Sequence, residues 1–280
     1  MTIYYEQSGH GRDVVLIHGW GSHGGVWTEI ARELVMDFRV TVPDLPGHGR
    51  TRDFAPHAFT PEAMAEQIRG VLHGPAVWVG WSMGGLVALA AAQQLARAVP
   101  GFVLVNATPK YVQSPDWPHA MQPSVLEQFA QNLEQDYAGT LERFLTLQMA
   151  AGEDRAVLRR LREEMFRYGE PVTAALHAGL RLLKEEDRRD VLGGNARAVS
   201  ITSSHWAVVS LSGQMILRTS SANISAAVPG SDPRPAALRS ARNCRTEMPK
   251  VAAPCQISSG EKAWMWIPGQ ASLIAAQIAR

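Results

Sequence analysis

The stretch from Ala76 to Leu86, "AVWVGWSMGGL", constrains this chain more than any other. An apolar run ends in Gly80-Trp81-Ser82-Met83-Gly84, and the helix-favouring run "GGLVALAAAQQLAR" (84–97) follows at once. A strand that turns into a helix so abruptly needs a sharp bend. Small residues on both sides of its apex let the helix approach the strand and tolerate a strained backbone. A serine at that apex presents its hydroxyl beyond the edge of the sheet. Such a hydroxyl is a poor nucleophile until a base takes its proton. Such a serine needs an imidazole to take the proton and an acid to orient that imidazole.

The same punctuation recurs. Residues 13–17, "DVVLI", lead into His18-Gly19-Trp20-Gly21; residues 38–42, "FRVTV", lead into "PDLPGHG"; residues 102–105, "FVLV", lead into "NATP". Apolar runs with little alternation suit strands covered on both faces. Between them lie helix-like segments such as 61–72, "PEAMAEQIRGVL", with Pro61 suited to a first turn. Strands alternating with helices predict an α/β fold with a mostly parallel sheet and right-handed crossovers. In such sheets the chemistry gathers at the carboxyl ends of the strands, where all four turns stand. His18 is expected to orient its loop rather than to catalyse. Asp44 is expected to bond turn N–H groups.

From about 112 to 189 the pattern changes to polar, helix-favouring sequence, which predicts an inserted helical cap. Phe144 and Leu147, at i and i+3, share one helix face. Arg155, Arg159 and Arg162 form one stripe, with Arg143 near it. That stripe suits either a solvated face paired with Glu163 and Glu164 or contact with an acidic partner. The expected organisation is a core over 1–111, a cap over 112–189 and a C-terminal segment over 190–280 that should complete the core.

At 280 residues, 46% of them hydrophobic, the chain suits one large domain or a core with an insertion. A net charge of +1 gives no bulk argument for nucleic acid or a membrane surface. The amino terminus lacks the order of a secretory signal. Cys244 and Cys255 fit neither a disulfide framework nor a metal site. A cytoplasmic monomer without metal or organic cofactor is expected.

In order and separation, the three motifs resemble the α/β-hydrolase superfamily. "LIHGWGSHGGVW", "VPDLPGHGRTR", "VWVGWSMGGLVA", "SPDWP" and "LERFLTLQ" are similar to the pimeloyl-acyl-carrier-protein methyl ester esterases of biotin synthesis, over residues 1 to about 192. The resemblance implies a serine carboxylesterase acting on an ester carried by acyl-carrier protein. It implies Ser82 as nucleophile and Trp20 and Met83 at the oxyanion site. Phe144, Leu145, Thr146, Leu147 and Gln148 would contact the acyl chain. A general short-chain carboxylesterase, or an inactive remnant that binds the carrier protein, are the alternatives.

The tail departs from that pattern. From Ser200 onward it holds 13 of 18 serines, no Phe or Tyr, and three acids, Asp232, Glu247 and Glu261. The superfamily's order is serine, acid, histidine. His205 stands where the acid's strand should end, and no histidine follows it. Asp232 sits in a turn-like context without a strand before it, and His119 and His177 fall in the cap. The reading favoured here is a shifted reading frame after about residue 195. One base later, codons for Pro254 to Ser259 can read His-Ala-(Lys/Arg)-Phe-Leu, close to the family's His-Ala-Pro-Phe-Leu. A divergent carboxyl segment is the competing reading.

Overall fold

The computed structural model describes residues 2–118, 120–148, 159, 163–193, 197–201, 206–209 and 215–218. Within these, only the backbone is described for 144–148, 193 and the three strands from residue 197 onward. The sheet has eight strands in the order β1-β3-β2-β4-β5-β6-β7-β8. They are β1 (Tyr5–Ser8), β2 (Arg12–Ile17), β3 (Phe38–Pro43), β4 (Ala76–Trp81), β5 (Gly101–Val105), β6 (Arg197–Ile201), β7 (Trp206–Val209) and β8 (Met215–Arg218). Strands β3, β2, β4, β5 and β6 run parallel. β1 pairs antiparallel with β3, and β7 and β8 complete the far side as antiparallel pairs. The four apolar runs read from the sequence are β2 to β5. β1 carries no such run: its residues are mostly exposed, so no hydrophobic pattern marked it.

The central strands bury both faces, as runs without alternation require. Val14, Leu16, Val79, Trp81, Val103 and Val105 pack on one side with Trp27, Ile30 and Leu34. The last two belong to α1 (Thr28–Leu34). Val15, Ile17, Trp78, Phe102 and Leu104 face the other side. There they meet α2 (Pro61–Arg69) and α3 (Met83–Gln94). Pro61 opens α2, and the Thr60 hydroxyl caps it by accepting from the Ala63 N–H at 3.1 Å. α3 is buried from Met83 through Ala92, so it is apolar all round rather than amphipathic.

Between β5 and β6 the described residues form helices and no strand: α4 (Pro123–Gln135), α5 (Tyr137–Gln148) and α6 (Thr173–Glu185). Leu126, Leu133, Leu141, Leu176 and Leu180 of these helices join the core cluster that holds α3. No described helix is long and apolar enough to cross a membrane.

A charged clasp ties this helical segment to the sheet. Asp44, directly after β3, is fully buried. It accepts from the Gly24 N–H at 2.6 Å, the Arg50 N–H at 2.9 Å and Arg50 Nε at 2.8 Å. Burial pushes its carboxyl up, but the Arg50 guanidinium and the two backbone donors outweigh this and hold it below the usual carboxylate value. The same guanidinium lies between the rings of Tyr4 and Tyr168, 4.0 and 4.3 Å from their centroids, and pairs with Glu6. One arginine thus joins the amino terminus, the turn after β3 and the segment that precedes α6. Removing one partner of a buried charge pair leaves the other uncompensated. We predict that Asp44→Ala lowers stability by about 3–5 kcal/mol, read as a fall in the urea midpoint.

Candidate active site

β4 ends at Trp81 and α3 begins at Met83, so Ser82 alone makes the bend. Its backbone is forced into φ +50°, ψ −122°, a conformation that L residues rarely adopt. Two glycines make the bend possible. A Cβ on Gly80 would lie 2.3 Å from the Gly84 carbonyl oxygen, and one on Gly84 would lie 2.5 and 2.6 Å from the carbonyl oxygens of Ile17 and His18. The start of α3 is therefore in direct backbone contact with the ends of β2 and β4. The bend is held by the Ser82 N–H donating to Val105 O at 3.0 Å and the Gly85 N–H donating to Ser82 O at 2.8 Å.

The loop after β2 closes on this serine. A Cβ on Gly19 would stand 3.1 Å from the Ser82 Cβ. The neighbouring Trp20 is buried, and its indole donates to the Leu176 carbonyl of α6 at 2.9 Å. Phe129 of α4 meets the Trp20 ring edge-on, at 5.2 Å and 70°. Gly179 of α6 lies over both oxyanion candidates: a Cβ there would be 2.6 Å from Trp20 Cδ1 and 3.0 Å from Met83 Sδ. The structure thus brings Trp20, Ser82 and Met83 together, under helices from a later part of the chain. Met83 is the first residue of α3, where an N–H lacks an intrahelical acceptor. Such an N–H can hold negative charge developing on a substrate oxygen.

Three buried histidines lie along the loops behind the serine. His18 Nδ1–H donates to Gly19 O at 2.8 Å, and His18 Nε2 accepts from the Leu45 N–H at 2.9 Å. Both nitrogens are spent on the loop, and burial, with His48 beside it, depresses its pKa to about 3. It is an orienting residue that cannot take the serine's proton. His48 donates from Nδ1 to Pro46 O at 2.9 Å, and burial lowers it to about 4. His23 accepts from the Gly25 N–H at 3.0 Å and donates from Nε2 to the Glu164 carbonyl at 2.5 Å, a second tie to the helical segment. Among the described residues no imidazole or carboxylate is hydrogen-bonded to the Ser82 hydroxyl.

Other expected residues fall differently. Phe144, Leu145, Thr146, Leu147 and Gln148 form the last turns of α5, and their side chains lie outside the described residues. His205, Asp232, His119, Arg155 and Arg162 also lie outside them. Arg159 is exposed and pairs with Glu163 at 3.7 Å; Arg143 is exposed and pairs with Asp136 at 3.4 Å. Glu164 pairs with Arg167 at 3.2 Å. No sequence signal marks Tyr111, whose hydroxyl is buried shortly after β5. It lies in "NATPKYVQ", which has no periodicity and no motif to mark it.

The histidines give the fold a pH dependence of defined sign. His18 and His48 stay neutral when folded but titrate near 6.5 once exposed. Between about pH 6 and pH 4 the unfolded chain binds the extra protons, so stability falls as pH falls. Each contributes a slope of about 1.4 kcal/mol per pH unit. We predict that urea midpoints drop steadily from pH 7 to pH 5, and that His48→Leu makes the drop shallower.

Comparison with known proteins agrees with this geometry. Residues 14–253 match the model of the alpha/beta hydrolase family. The chain is 44% identical over 193 residues to a pimeloyl-acyl-carrier-protein methyl ester esterase of Stenotrophomonas maltophilia, covering 68% of this chain and 73% of the relative. It is 44% identical over 196 residues to the protein of that name from Xanthomonas oryzae, covering 70% and 76%. Among solved structures, an esterase from Exiguobacterium antarcticum superposes with a TM-score of 0.63 at 22% identity, covering 71% of this chain and 75% of that one. A bromoperoxidase from Bacillus anthracis gives 0.62 at 23% identity, covering 71% and 75%. At that identity the likeness is one of fold alone. Strand order, serine bend and family match together place this chain in the alpha/beta hydrolase family.

Proposed function

We propose that the chain is a carboxylic ester hydrolase with Ser82 as nucleophile, acting on the methyl ester of a pimeloyl group carried by acyl-carrier protein in biotin synthesis. The observation that carries the reading is the left-handed backbone of Ser82 at the junction of β4 and α3, with the Gly19–Trp20 loop packed against it. The relatives' names supply the substrate class. Ser82 Oγ attacks the ester carbonyl carbon while the N–H groups of Trp20 and Met83 hold the oxyanion. Methanol leaves with the serine's proton, and water then hydrolyses the acyl-enzyme. The turns of α5 from Phe144 to Gln148 take the acyl chain, under a cap formed by α4 to α6. The chain is proposed to act as a cytoplasmic monomer without a cofactor.

Ser82→Ala is expected to abolish ester hydrolysis and stoichiometric labelling by a fluorophosphonate, with the urea midpoint little changed. An alanine variant that keeps its activity would assign the nucleophile elsewhere.

The carrier protein is proposed to dock on the arginines of the helical segment. Arg143 and Arg159 are exposed, and their ion pairs at the surface are of the weak kind that can exchange partners. Replacing Arg155, Arg159 and Arg162 with Glu is expected to lower kcat/KM for the carrier-bound ester about tenfold or more, through slower association. A small free ester should be hydrolysed at the parental rate. Equal losses on both substrates would argue for a misfolded cap.

A further inference from the structure

We propose that Gly179 of α6 is a positioning residue for ester hydrolysis: the space left by its missing side chain seats the Trp20 indole, and the seated indole fixes the backbone N–H of Trp20 beside Ser82. This rests on Ser82 as nucleophile and on Trp20 as an oxyanion donor.

Gly179 stands in the middle of its helix, Thr173–Glu185. Glycine is the weakest helix former after proline, so its presence there needs a reason from outside the helix. That reason lies on one helix face. Leu176, three residues earlier and on the same side, accepts from Trp20 Nε1 at 2.9 Å. A Cβ on Gly179 would stand 2.6 Å from Trp20 Cδ1 and 3.1 Å from Nε1. These two atoms are neighbours in the ring, so an added carbon would fall on the edge that makes the hydrogen bond. The same Cβ would stand 3.0 Å from Met83 Sδ, but a thioether is flexible and can turn aside. The indole cannot: it is rigid, buried and met edge-on by Phe129.

Of the two oxyanion candidates, Trp20 is the one that the insertion can move. The Met83 N–H belongs to α3, whose start is locked against the end of β2 at Gly84. Trp20 instead sits in a loop between Gly19 and Gly21, the latter at φ +69°. Flanking glycines leave a backbone free to pivot, so the loop is placed by what touches it. On the sheet side, a Cβ on Gly19 would meet Ser82 Cβ and Trp81 Cε3 at 3.1 Å each. On the helical side, a Cβ on Gly21 would meet Leu141 Cδ2 at 3.3 Å and Leu176 Cδ2 at 3.8 Å. The indole, anchored at Leu176 and Gly179, is the remaining tie. A carbon added at Gly179 must lift α6 or push the ring aside. Either change strains the hydrogen bond to Leu176 and turns the Trp20 peptide.

An oxyanion donor acts through its aim at the charge that develops in the transition state, and a small displacement costs much of the effect. The bound ester has not yet developed that charge. Loss of aim therefore lowers kcat and leaves KM nearly unchanged.

The test is steady-state hydrolysis of p-nitrophenyl acetate by the full chain, its Gly179→Ala and Trp20→Phe variants, and the double variant. Gly179→Ala is expected to lower kcat about tenfold or more, with KM within about twofold of the parent's. Phenylalanine lacks the Nε1 edge that Gly179 accommodates. In the Trp20→Phe background the same alanine should therefore lower kcat by less than about twofold, a non-additivity that a general disturbance of α6 would not produce. Parental kcat in Gly179→Ala, a rise in KM that accounts for the loss, equal losses in both backgrounds, or an alanine variant that does not fold each overturns the positioning role and leaves the role of Ser82 standing. A parent chain that releases no nitrophenolate and is not labelled at Ser82 by a fluorophosphonate overturns both.

Discussion

The contact between the start of α3 and the ends of β2 and β4 is the constraint on which the rest depends. It is a contact of backbone with backbone: no side-chain carbon fits at Gly80 or Gly84. Because the helix cannot retreat, Ser82 must absorb the whole change of direction at one residue, in a conformation costing on the order of 1–3 kcal/mol. The burial of α3 from Met83 to Ala92 holds that strain in place. A looser junction would spread the bend over several residues and let the serine side chain wander.

Beneath the bend the polar groups serve position rather than proton transfer. His18 bridges the loop after β2 to the turn after β3, and His23 bridges the first of these to the Glu164 backbone. Asp44 and Arg50 join the same loops to Tyr4 and Tyr168. Both ring nitrogens of His18 and of His23 are used, which sets their tautomers and keeps them neutral. His18 is thus excluded as the serine's base by its own hydrogen bonds. The cost of this arrangement is sensitivity to acid, because a neutral buried imidazole becomes a liability once the unfolded chain can protonate its own.

The helical segment completes the site from above. Trp20 is held by Phe129, Leu176 and Gly179, which come from two helices remote in sequence. The absence of a side chain at Gly179 lets α6 rest on Trp20 and Met83 together. The position of the oxyanion loop is therefore shared between the sheet and the insertion, so a change in the insertion can reach the chemistry without touching the serine.

The family entered through the resemblance of the motifs, whereas the sequence by itself determined β2 to β5, the helices α2 and α3 and the serine bend. Each rests on short-range physics: apolar runs that suit a doubly covered sheet, and glycines spaced where a strand must meet a helix. It also identified His18 and Asp44 as loop-orienting residues, since turn chemistry is local. Only the tertiary structure decided which distant groups meet. The antiparallel β1 has no hydrophobic pattern because its residues are mostly exposed. Arg50 reads as one more charge until Tyr4 and Tyr168 close on it from 46 and 118 residues away. No window of sequence contains such pairings, because chain topology and core packing set them.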